Sequence, residues 1–82
     1  MYQTIHDAIA VFGVYDQGGF HLKKFNWRNQ VYPVDQVTLT INLKDGGVKQ
    51  RMYSVQSGAN IYRLLFNREN ECWFLEEIWL EG

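Results

Sequence analysis

The chain reads as a single all-β domain, about six antiparallel strands in meander order, curled or closed like a small barrel. Three observations predict this. Turn residues recur at fairly regular spacing between short apolar runs, as they do in antiparallel sheets. The aromatic content is high, with three Trp, five Tyr and five Phe in 82 residues. The registers set by successive turns also bring one set of apolar residues to one face, and such agreement between levels marks a sequence that specifies its fold.

At 82 residues the chain spans one domain, 1–82, near the lower size for a self-sufficient core. Buried aromatic rings remove large areas from water, which supports a small core without disulfide or metal. The formal charge of −1 gives no overall footprint for nucleic acid or an acidic membrane. Cys72 is the single cysteine, so an intrachain disulfide is excluded and a reducing, cytoplasmic setting is expected. The N-terminal stretch lacks the basic start of a signal peptide, and no apolar run reaches membrane-spanning length.

In chain order, Ala8 to Tyr15 is apolar on both faces and reads as a strand or a short helix, which periodicity alone does not separate. Gly13 within it suggests a bulge or a close backbone approach. Asp16-Gln17-Gly18-Gly19 turns the chain into a strand from Phe20 to Trp27. Arg28-Asn29 then forms a two-residue turn, Asn tolerating the positive φ it demands, so Trp27 faces Gln30 and Phe25 faces Tyr32. Phe25, Trp27, Tyr32 and Val34 thereby share a patch. Removal of the Trp27 side chain is expected to cost about 3–5 kcal/mol, enough to unfold a domain this small.

The longest extended run, Val31 to Leu43, changes apolar parity: Tyr32 and Val34 are even-numbered, Val37, Leu39, Ile41 and Leu43 odd. Either a bulge near Asp35-Gln36 restores the register or the chain turns a corner between layers, and the corner is favoured. A three-residue loop, Asp45-Gly46-Gly47, sets Leu39 opposite Tyr53 and Val37 opposite Val55. A Gly58-Ala59 turn of type II′ sets Val55 opposite Tyr62 and Tyr53 opposite Leu64. A four-residue loop, Asn67 to Asn70, sets Leu64 opposite Trp73 and Tyr62 opposite Leu75. The expected core is Val37, Leu39, Ile41, Tyr53, Val55, Tyr62, Leu64, Phe66, Trp73 and Leu75. By parity, Met52, Ile61, Leu65, Phe74, Ile78 and Leu80 point the other way and form a candidate interaction face.

Chemistry-bearing motifs are sparse. His6, Asp7, His21 and Cys72 are not in a metal-ligand spacing, so no metal and no cofactor are expected. Glu76 and Glu77 are adjacent, so on a regular strand they point to opposite faces and form no acid–base pair. Gly18-Gly19 and Gly46-Gly47 read as hairpin turns rather than phosphate loops. The expectation is a protein that is not an enzyme. Two binding roles compete. One is a protein-interaction or homodimer module using the apolar face or the edge of the last strand. The alternative is a nucleic-acid accessory domain using Lys23, Lys24, Arg28 and nearby aromatics.

Phe25-x-Trp27 followed by Tyr32-x-Val34, Tyr53-x-Val55 and a closing Trp73-x-Leu75 resembles small uncharacterised bacterial β proteins of the domain-of-unknown-function type. Some similar domains accompany error-prone, Y-family-like DNA polymerases. The resemblance runs from about Ala8 to Ile78, implies an all-β fold and leaves a nucleic-acid-associated role open. A Gly is common in that pattern where this chain has Asn29. No functional residues are established in such domains, so none is carried over.

Overall fold

The computed structural model describes residues 1–80. Seven strands form one antiparallel sheet: β1 (Tyr2–Asp16), β2 (Gly19–Trp27), β3 (Gln30–Pro33), β4 (Gln36–Asp45), β5 (Val48–Ser57), β6 (Asn60–Asn67) and β7 (Cys72–Trp79). Their order is β3-β2-β1-β7-β6-β5-β4. Two meanders, β1 to β3 and β4 to β7, are therefore joined where the first strand pairs with the last. The sheet is curled and not closed. Residues 8–15 belong to a strand and not a helix, as part of β1.

Curling is visible in contacts between strands that share no hydrogen bonds. Phe25 of β2 meets Tyr62 of β6 edge-on at 5.3 Å, and Phe20 of β2 lies 6.1 Å from Trp73 of β7. The core they enclose contains Leu22, Phe25, Tyr53, Val55, Tyr62, Leu64, Leu75 and Ile78. Aromatic pairs at these separations add to the stabilisation from area burial.

The Arg28-Asn29 turn has φ of 52° and 61°, the left-handed pair of a type I′ hairpin. Trp27 faces Gln30 and Phe25 faces Tyr32, as the turn chemistry predicts. Val34 and Asp35 then make the expected corner. The Val34 amide donates to the Lys23 carbonyl of β2, and the Asp35 amide donates to the Gln56 carbonyl of β5. The long apolar run is thereby split into β3 and β4, which raises the strand count to seven.

The next hairpin departs from expectation. Asp45 pairs with Val48, so the turn is the two-residue Gly46-Gly47, both with positive φ. Leu39 consequently faces Ser54 rather than Tyr53, and Ile41 faces Met52. The odd-residue shift moves Leu39, Ile41 and Leu43 from the core side to the outer side. Val37 still faces Val55, because a bulge at Thr38 absorbs one residue. Thr38 Oγ1 donates to the Ser54 carbonyl at 3.1 Å across this irregularity.

The Gly58-Ala59 register agrees with expectation throughout. In the β6–β7 hairpin Phe66 faces Trp73 and Leu64 faces Leu75, two residues from the expected register. An even shift preserves the face, so Trp73 and Leu75 still point inward. Beyond Leu75 the register slips, with Leu64 opposite Leu75 but Arg63 opposite Glu77. Glu76 is the extra residue, and it reverses the parity of everything after it. Ile78 therefore joins the core at 4% exposure and Leu80 packs against it, so neither belongs to the interaction face on which simple alternation places them.

Candidate interaction face

The outer side of the sheet carries two apolar rows. In the first, Ile41, Met52, Leu65, Phe74 and Ala8 are successive cross-strand partners over β4, β5, β6, β7 and β1. In the second, Ile61, Trp79 and Tyr2 are partners over β6, β7 and β1, with the Trp79 and Tyr2 rings 4.8 Å apart. Four of the six residues expected on this face, Met52, Ile61, Leu65 and Phe74, are thus on it and half-buried. Leu39, Ile41 and Leu43 extend it to the β4 edge, with Leu39 46% and Leu43 40% exposed. Parity counting misses them because the Gly46-Gly47 turn is one residue shorter than the expected loop.

A polar band separates the two rows. The bulge at Glu76 turns both Glu76 and Glu77 to the outer side, against the expectation that adjacent residues oppose one another. Glu77 lies 3.6 Å from Arg63, and the Arg63 guanidinium sits over the Trp79 ring at 5.4 Å. Arg63 Nε is buried without a hydrogen-bond partner. Glu76 accepts from His6 Nδ1 through both carboxylate oxygens, at 2.9 and 3.0 Å. His6 occupies a β1 bulge with φ of 61°, and its ring stacks on Phe74 at 5.2 Å. The hydrogen bond to Glu76, followed by its negative charge, raises the His6 pKa from 6.5.

The last strand is not an edge. β7 lies between β1 and β6 and pairs with both, so an edge contact through it is ruled out. The edges are β3 and β4. Between β4 and the Phe20–Lys23 segment of β2 the curled sheet leaves a cleft of about 320 Å³, with Tyr53 also lining it. Of its ionisable groups, His21 and Asp35 are engaged with turns. Asp16 accepts from the Gly18 amide at 2.7 Å and contacts His21 at 2.9 Å, and Asp35 accepts from the Gly58 amide at 2.8 Å.

The three cations expected to contact nucleic acid have separate surroundings. Lys23 lines the cleft. Lys24 lies over the Phe12 ring at 5.3 Å. Arg28 is 3.2 Å from Asp7 and stacks over Trp27 at 4.6 Å. Trp27 is held in turn by donation from Nε1 to Asp7 at 2.8 Å. No grouping of three or more His, Cys, Asp or Glu residues suited to a metal occurs among the described residues. No helix among them is long and apolar enough to cross a membrane.

Comparison with known protein families, curated proteins and solved structures finds no match to this chain.

Proposed function

We propose that the chain is a non-enzymatic interaction module that presents the outer apolar rows to a protein partner, a second copy of itself included. The observation that carries this reading is the unbroken, half-buried apolar row from Ile41 through Met52 and Leu65 to Phe74, which crosses four strands with no second sheet over it among the described residues. Contiguous apolar surface left partly open to solvent in this way marks contact sites on small domains. The polar band beside it, with its Arg63–Glu77 and His6–Glu76 pairs, supplies an orienting rim. The lone Cys72 supports a cytoplasmic setting as part of the same proposal.

The test is light scattering over a concentration series at low and high salt. Apolar association keeps its strength as salt rises, and Leu65→Lys weakens it. Tight binding of a labelled single-stranded oligonucleotide that disappears with added salt would overturn the reading in favour of the nucleic-acid role that the polymerase-associated resemblance suggests. A sharp monomer at every concentration would remove self-association from the proposal.

A further inference from the structure

The two edges of the sheet are unequal. β3 has four residues and ends in Pro33, which has no N–H to offer another strand. β4 has ten residues, no proline, and charges only at Lys44 and Asp45, at its far end. From Leu39 to Asp45 it is regularly paired on one side with β5 and has no strand on the other. Proteins commonly guard such an edge with a proline, a bulge or a central charge, because an unguarded row of backbone donors and acceptors recruits another strand. Here the bulge at Thr38 and the charged residues flank the segment 39–43 and leave its middle open.

That middle is self-complementary. Leu39-Thr40-Ile41-Asn42-Leu43 reads apolar, polar, apolar, polar, apolar in either direction. We infer that a second copy of this chain pairs along β4, antiparallel, about a two-fold axis through Ile41. Leu39 then faces Leu43 of the second copy, and Ile41 faces its own equivalent, all on the outer side. Thr40 faces Asn42 on the inner side, and Thr38 faces Lys44, so no like charges meet. A two-residue slip one way sets Leu39 against Asp45. A slip the other way sets Leu43 against Val37, whose side chain has crossed to the opposite face beyond the Thr38 bulge. The axis through Ile41 is therefore the register that matches all three apolar residues. It also joins the rows of the two copies end to end, Phe74 to Phe74, and the guarded β3 edge stops growth at the dimer.

This inference rests on the proposed interaction role and names both partner and contact. Its test is a charge exchange at the axis, read by sedimentation or light scattering. Ile41→Lys and Ile41→Glu each place like charges opposite one another, and each raises the dissociation constant by about a hundredfold or more. Mixing the two variants restores a species of dimer mass, which neither forms alone, and hydrogen exchange shows protection at residues 39–43 in that mixture. Restoration also shows that both variants fold. A wild-type dimer that persists in both single variants overturns the edge contact. If Leu65→Lys then disperses that dimer, the contact lies on the flat of the sheet and the apolar-face reading survives alone. A wild-type chain that stays monomeric overturns the inference outright.

Discussion

Trp27 shows how one side chain couples three parts of the molecule. Its ring packs against the core near Tyr32, its Nε1 donates to Asp7, and the Arg28 guanidinium covers its outer face. Because the ring is half-buried, Trp27→Ala is expected to cost about 2–4 kcal/mol, somewhat less than full burial implies, with part of the loss arising from the Nε1–Asp7 hydrogen bond. Chemical denaturation measures this directly. His6 supplies a pH signature. Its folded-state pKa is raised, so the bond to Glu76 stabilises the fold fully below 6.5 and fades as pH rises through the raised value. Asp16 has the opposite sign: its pKa is lowered mainly by the contact with His21, so its contribution is present above 3.8 and lost as pH falls through the lowered value. A ring-proton NMR titration should place the His6 midpoint above 6.5 in the wild type and return it toward that value in Glu76→Gln.

At the scale of elements, bulges and turns decide which face each residue takes. Phe25, Tyr32, Tyr53, Val55, Tyr62, Leu64 and Leu75 are legible as interior residues because their turns carry explicit chemistry: left-handed Asn29, and Gly58 first in its pair. The β6–β7 loop lies two residues from its expected place, and the period of two hides the difference. In the β4–β5 hairpin the difference is one residue, and three apolar side chains change sides. No residue type at Glu76 announces a bulge, so the inward turn of Ile78 and Leu80 is not readable from alternation. The outer face was accordingly legible at its centre, in Met52, Leu65 and Phe74, and not at its β4 margin. The Glu76 bulge gives a sharp test. Glu76→Ala removes only the His6 contact and keeps a cooperative melt, whereas deletion of residue 76 drives Ile78 and Leu80 outward and abolishes it. Circular dichroism melts distinguish the two results.

At the scale of the whole molecule, β7 is the joint between the two meanders. Among the described residues β1 is bonded to β2 on one side and to β7 on the other. A chain ending at Asn70 would lose that joint together with Leu75 and Ile78 of the core. Such a truncation is expected to leave no folded domain, seen as collapse of amide chemical-shift dispersion in a two-dimensional NMR spectrum. The same arrangement makes folding wait on a distant encounter, because β1 and β7 pair with five strands between them in sequence. Such non-local pairing places the domain among the slower two-state folders.

The pairing of Tyr2 with Trp79 has a mechanical corollary. Tension applied through these two residues acts at one end of the antiparallel β1–β7 ladder, so its hydrogen bonds rupture in sequence, like a zip, instead of sharing the load. The domain should therefore yield at low force when held there. Force applied between Tyr2 and Trp73, which lie on the two strands at opposite ends of that ladder, would load its bonds in shear, giving the tougher direction.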